Sequence, residues 1–205
     1  MVTINPVFTR QAVKKALNDT IAAAFPGLFG ISSYTFNYSI SQLTYSLPSA
    51  AQTVLSVSYE SIGPTKEWRP VRGWRLDAMA DPSSFGSSNS ITLLSAVEPG
   101  RSVRVIYTME PDVLESAQDD FSSTTGLPDS AKDVIVYGAV YRLLSFIPAA
   151  RLNYATADAE MQSSRLDINA GTNIAKYFYA LFQQRLAEES KKLVDKYPIR
   201  PHYSN

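Results

Sequence analysis

Few side chains in this sequence are suited to making or breaking a covalent bond. There is one histidine, His202, in a tail rich in proline and tyrosine, and there is no cysteine. Without a second imidazole or a thiolate the common zinc sites cannot be assembled, and a serine-histidine-aspartate triad would depend on a terminal residue. The adjacent acids Asp119 and Asp120, and Glu188 and Glu189, would point in different directions on a helix. Neither run has the alternating ligands and glycine of a calcium loop, so both read as solvated charge. GPTK at 63–66 lacks the second glycine and the Lys-Ser/Thr pair of a phosphate loop, and reads as a turn. No G-x-G-x-x-G is present. The expectation is a chain with no catalytic set, no metal and no cofactor.

The residues suited to recognition are more numerous. In KEWRPVRGWRLD, Lys66, Arg69, Arg72 and Arg75 interleave with Trp68 and Trp74. Arginine stacked on tryptophan joins planar area to a cation-π attraction, a pairing frequent in protein interfaces. The same residues would serve a single nucleic-acid strand, a sugar platform, or a plain strand with one tryptophan in the core and arginines along its edge. The tail holds Tyr197, Pro198, Ile199, Arg200, Pro201 and Tyr203, and prolines lower the entropy lost when an extended segment docks. Nineteen basic residues balance nineteen acidic ones, so no overall field draws in free nucleic acid.

These residues must be positioned by elements of two kinds. Thr9 opens a helix RQAVKKALNDTIAAAF, with Val13, Ala16, Leu17, Thr20, Ile21 and Ala24 on its apolar strip, and Pro26 stops it. From 33 to 110 the period falls to 2: Tyr34, Phe36, Tyr38 and Ile40; Leu55, Val57 and Tyr59; Val103, Val105 and Tyr107. Further strands are expected at 43–47, 68–78 and 90–94, with Pro70 implying an edge or a bulge. An acidic stretch at 110–120 leaves room for a short helix at 112–117. Two helices follow. The first has Asp129 or Ser130 as N-cap and a stripe of Val134, Tyr137, Val140, Tyr141 and Leu144; the second carries Ile174, Tyr177, Phe178, Leu181, Phe182, Leu186, Leu193 and Val194. The connection 147–172 is too long for a tight turn, with a break expected at Pro148 and a short helix at 156–165.

The fold class expected is α+β: a helical bundle, made of the N-terminal helix and the long C-terminal helices, into which an antiparallel β-sandwich or barrel-like domain is inserted. The divisions are 1–32 for the first helix, 33–110 for the β insertion and 111–128 for a linker. Residues 129–196 supply the C-terminal helices with their connecting arm, and 197–205 the docking tail. A chain of 205 residues buries roughly 70% of its unfolded surface and needs no disulfide. No leader-like or membrane-spanning apolar run is present, which predicts a soluble protein assembled in a cytoplasm.

The helix DVIVYGAVYRLL, the arm through Arg151 and Asn153, the helix YFYALFQQRLAEESKKL with its terminal YP, and the aromatic opening YTFNYSISQLTYSLP with its later partner GRSVRVIYTME form one arrangement. It resembles the head-to-tail adaptor proteins, also called connector or neck proteins, of tailed bacteriophages. The resemblance implies a structural virion protein and not an enzyme. It implies a homo-oligomeric ring, typically a homo-dodecamer, beneath the portal protein and above the next neck or tail ring, with packaged DNA passing through the channel without sequence-specific binding and with no membrane involved. Arms and tails would reach the portal or neighbouring subunits. The rivals are a carbohydrate-binding β module of a phage tail, another tail-completion or neck protein, and a carboxylate-dependent hydrolase.

Overall fold

The computed structural model describes residues 8–63, 67–95, 97–145 and 170–197. In chain order these contain α1 (Arg10–Ala24), β1 (Gly30–Asn37), β2 (Thr44–Ser46), β3 (Thr53–Glu60), β4 (Trp68–Pro70), β5 (Trp74–Asp77), the short α2 (Pro82–Phe85), β6 (Ser90–Leu93), β7 (Ser102–Met109), the short α3 (Phe121–Thr125), a 3-10 turn (Asp129–Ala131), α4 (Lys132–Ser145) and α5 (Ala170–Lys196). The fold class is α+β, and among the described residues every strand pair is antiparallel. Met1–Leu28 and Pro111–Lys192 make one compact unit; Phe29–Glu110 and Leu193–Asn205 make a second. The break at Pro148, the helix at 156–165 and most of the tail fall outside the described residues.

In the helical unit, Thr9 caps α1 by accepting the Ala12 N–H at 3.1 Å. The buried side of α1 is Ala16, Thr20, Ile21 and Ala24, while Val13, expected on that strip, is exposed. α4 buries Val134, Ile135, Gly138 and Ala139, so its buried face is rotated from the stripe read by spacing. The cause is its principal neighbour. Two faces of small residues let the backbones of α1 and α4 approach closely, and that turns Gly138 into the contact. A Cβ on Gly138 would overlap Thr20 Cγ2 of α1 and stand 2.9 Å from Phe182 Cδ2 of α5. Three helices cross at this glycine. Tyr137 and Tyr141 instead meet α5 through rings, with centroids 6.2 Å from Phe178 and 4.9 Å from Tyr179.

The turn before α4 and the acidic stretch before it differ from what spacing predicts. Neither Asp129 nor Ser130 acts as a side-chain N-cap; a 3-10 turn leads into α4, with Asp129 paired to Lys132 at 2.8 Å and Ser130 turned toward α5. Residues 112–117 are not helical, because they run as a strap bonded to α1. The Asn18 side-chain amide satisfies both backbone groups of Leu114, donating to its C=O and accepting from its N–H at 2.9 Å each. Lys14 donates to the Glu115 carbonyl at 3.1 Å. The acidic strap is therefore fixed by α1 and not by its own helical bonds.

The β unit has a four-stranded sheet, β1-β7-β3-β4, and a three-stranded sheet, β2-β6-β5. Side chains from both enter one core: Val54, Val57, Val103, Val105 and Tyr107 from the first, Tyr45, Trp74, Ile91 and Leu93 from the second. That is a sandwich. Simple alternation places Leu55 beside Val57, but the register of β3 shifts between Val54 and Ser56. Leu55 takes the bulge, so Val54 and Val57 face inward together at 3% and 2% exposure. On the edge strand β1, Tyr34 is 36% exposed, and Ile40 beyond it is 76% exposed, although alternation places both inside. The run 68–78 is two edge strands in different sheets, joined through buried Val71. Pro70 sits on an edge, as its missing N–H requires. Gly73 makes the crossing: its N–H donates to Ser95 Oγ at 2.8 Å, and a Cβ there would stand 2.6 Å from the same oxygen.

Asn89 holds the 48–51 loop to the sandwich. Its buried Nδ2 donates to the carbonyls of Ala51 at 2.7 Å and Ser49 at 3.1 Å. Asn89→Ala leaves those acceptors unpaired and is expected to cost about 1–2 kcal/mol. The loss should appear as a lower urea midpoint with an unchanged slope, and an unchanged midpoint would refute it.

Candidate protein-protein interface

The side chains expected at an interface fall in three groups. Trp68 is 37% exposed, and Arg69, Arg72 and Arg75 are exposed without an ion-pair partner among the described residues. Trp74 belongs to the sandwich core at 8% exposure, so its indole is not offered to a partner in this structure. Tyr197 is half-buried at the end of α5. Arg151, Asn153, Pro198, Ile199, Arg200, Pro201 and Tyr203 lie outside the described residues, as do Lys66 and His202.

Trp68 does carry a stacked arginine, but the arginine is Arg104, whose guanidinium carbon stands 4.2 Å from the ring centre. The register explains the exchange. Trp68 pairs with Glu60, while Ser58, two residues from Glu60 on the same face, pairs with Arg104. Trp68 and Arg104 therefore share the outer face of the four-stranded sheet, and the pleat turns Arg69 the other way. Arg104 Nε is buried without a hydrogen-bond partner among the described residues. The alternation in SVRVIYTM already placed Arg104 on a face opposite the valines. What spacing alone could not supply was the pairing that brings it to Trp68.

The helical unit offers a different surface. Ile174, Tyr177 and Tyr179 of α5 and Val136 of α4 are exposed at 45–61%, although spacing puts Ile174 and Tyr177 on the apolar stripe of α5. A groove of about 760 Å³ runs between α1 and the strap, lined by Phe8, Val13, Leu17, Leu114 and Ala117 with Arg10 and Lys14 among the polar residues. Asp112 and Glu115 are exposed on the strap, while Asp119 is turned back to accept the N–H groups of Glu115 and Ser116. The second acidic pair divides. Glu188 is exposed, but Glu189, expected in solvent, is 1% exposed. Its carboxylate accepts from Ser130 Oγ at 2.7 Å and Lys192 Nζ at 2.6 Å, with Arg185 at 3.3 Å. Burial opposes its charge, yet the bonds from Lys192 and Ser130 outweigh that and hold its pKa below the ordinary glutamate value.

Among the described residues no three His, Cys, Asp or Glu side chains cluster as a metal site would need, and no helix is long and apolar enough to cross a membrane. The geometry is that of exposed contact surfaces: a tryptophan-arginine pair on the outer face of the four-stranded sheet, and exposed apolar and aromatic side chains of α4 and α5 with an apolar groove on the helical unit. No curated protein matches the chain. The family model described as "SU10 adaptor protein" matches residues 3–202, which takes in both units. The chain belongs to the SU10 adaptor protein family, and with it to the structural adaptors of phages.

Proposed function

We propose that this adaptor forms a homo-oligomeric ring, of about twelve copies, between the portal protein and the next neck or tail ring of a tailed phage. It acts through protein contacts around the channel for packaged DNA and enters the virion by assembly in the host cytoplasm. The observation that supports this most is the family match running through helical unit and sandwich alike. The exposed side chains fit the reading. Ring subunits meet through two different patches, and a closed ring needs those patches to be complementary. The exposed Arg69, Arg72 and Arg75 offer one, the exposed acids Asp112 and Glu115 the other. Arg151 and Asn153 in the arm, and the tail from Tyr197 to Tyr203, are assigned to the portal or to neighbouring copies.

Native mass measurement and electron microscopy of the purified protein, alone and with a portal, test the ring directly. A monomer at every concentration and beside every portal would remove the proposal. For the charged patches, the double variant Arg69→Glu, Arg72→Glu is expected to weaken ring assembly roughly tenfold and to reduce its sensitivity to salt. Unchanged assembly and unchanged salt dependence would show that those arginines lie elsewhere.

A further inference from the structure

The outer edge of β1 differs from every other sheet edge among the described residues. β1 pairs with β7 over its whole length, from Gly30↔Met109 to Asn37↔Ser102, and has no strand on its other side among the described residues. About half the backbone N–H and C=O groups of such a strand point away from its partner. Those of residues 31–36 find no other partner among the described residues. Natural sheets blunt free edges with charge, proline or shortness. Here β4 has three residues with Arg69 and Pro70, β2 has three residues, and β5 has four with Arg75 and Asp77. β1 has eight, GISSYTFN, with neither a charge nor a proline. An aromatic ladder also ends on it: Phe36 stacks on Tyr45 at 4.2 Å, Tyr34 follows at 6.2 Å from Phe36, and Tyr34 is left half open.

We infer that β1 receives residues 2–5 of a neighbouring copy as a fifth strand of the four-stranded sheet. This rests on the ring proposed above and says how adjacent subunits are tied. Residues 2–5 read VTIN: three of the four are β-branched, none is charged, and Pro6 ends the run where a ladder would otherwise continue. The period of two puts Val2 and Ile4 on one face, beside Tyr34 and Phe36, where they extend the aromatic ladder. Thr3 and Asn5 fall on the other face, beside Ser33 and Thr35. The other chain outside the described residues fits the edge less well. Pro198 and Pro201 lack the N–H groups a ladder needs, and 146–169 is rich in alanine and interrupted by charge.

The absence of cysteine makes cross-linking a clean test. Thr3→Cys is combined with Ser33→Cys or with Thr35→Cys, so that either register is sampled, and the full-length assembled protein is oxidised. Disulfide-linked dimers and higher multimers on a non-reducing gel are expected for at least one pair and for neither parent alone. The second arm is Ser33→Lys with Thr35→Lys, both at exposed positions. It is expected to raise the concentration at which rings dissociate at least tenfold while leaving the melting temperature of the dissociated subunit unchanged. Rings of normal mass without these cross-links, or with cross-links only inside one chain, overturn the inference and leave the ring standing. Cross-linking of Thr35→Cys to Asn153→Cys in place of Thr3→Cys also overturns it, by naming another occupant. A protein that never forms rings removes both readings together.

Discussion

Gly138→Ala is expected to destabilise the helical unit by about 2 kcal/mol, although the same change in an open helix stabilises. Replacing a mid-helix glycine by alanine ordinarily gains about 1 kcal/mol from helix propensity. At this position the new methyl would overlap Thr20 Cγ2 and press on the buried ring of Phe182. Overpacking of this kind costs about 1–3 kcal/mol, and the upper end applies because neither neighbour is free to move. Thr20 is fully buried, and its hydroxyl donates to the Ala16 carbonyl at 2.7 Å while accepting from Arg142 Nε at 3.1 Å. Rotating its methyl away breaks both bonds. Gly138→Val adds bulk at the same point and is expected to cost more than about 3 kcal/mol. The decisive measurement is the double variant Thr20→Ser, Gly138→Ala, in which the hydroxyl stays and the clashing methyl goes. It should recover at least half the loss in thermal or urea unfolding. An alanine variant as stable as the parent, or a loss that Thr20→Ser does not relieve, would show that α1 and α4 are not in this contact.

Gly138 also marks where the sequence stops being sufficient. Period and capping are enough for α1, and period alone for the two long C-terminal helices and the antiparallel β region, because those signals are local: Thr9 before an apolar period, Pro26 after it, valine at alternate positions in β7. Which face of a helix is buried depends on the neighbour. α4 has apolar residues around most of its circumference, so spacing favoured the larger Tyr137 and Tyr141, whereas close packing on α1 selected Gly138 and Ala139. β3 failed for a similar reason. A bulge costs only one residue in the pattern, and nothing around Leu55 announces it, yet it moves Val54 to the inner face. The strap at 112–117 had the composition of a helix start, but the amide of Asn18, 96 residues before Leu114, supplied its backbone bonds. Non-local hydrogen bonds of this kind leave no periodic trace.

The interface residues were legible by type and not by arrangement. Tryptophan and arginine in KEWRPVRGWRLD announced an aromatic-cationic surface, but the two tryptophans fall in different sheets, one at the surface and one in the core. The stacked arginine came from β7, thirty-six residues from Trp68 in the chain. The free edge of β1 was hidden for the converse reason. GISSYTFN reads as an ordinary half-buried strand until the sheet order places it outermost, and only then does its lack of charge and proline become informative.

Glu189→Gln should cost about 2 kcal/mol at neutral pH and progressively less as the pH falls through the folded pKa of Glu189. The buried carboxylate joins α5 to the turn before α4 by accepting from Ser130, Lys192 and Arg185. Hydrogen bonds to a charged group are worth about 1.5–3 kcal/mol. The lower half of that range fits better for Lys192, which is 62% exposed and well hydrated once released. Glutamine fills the same volume but removes the charge and turns an N–H₂ group toward one of the donors. The pH dependence fixes the cause. Because the folded pKa of Glu189 lies below its ordinary value of 4.5, the stabilisation is fully present above that value and is lost as pH falls through the folded pKa. Asp81, Asp120 and Glu188 are also held low by hydrogen bonds, so the parent protein has other acid-sensitive groups. Asp81 and Asp120 share no bond with Glu189 and cancel in the difference, whereas Glu188 shares Arg185 with it, so parent and variant are compared in a Glu188→Gln background. Urea unfolding of both proteins at pH 7 and at pH 3 therefore isolates this one carboxylate. A gap that stays constant across the range would mean that glutamine merely packs badly, and a gap that widens in acid would reverse the sign of the shift and overturn the electrostatic role of the site.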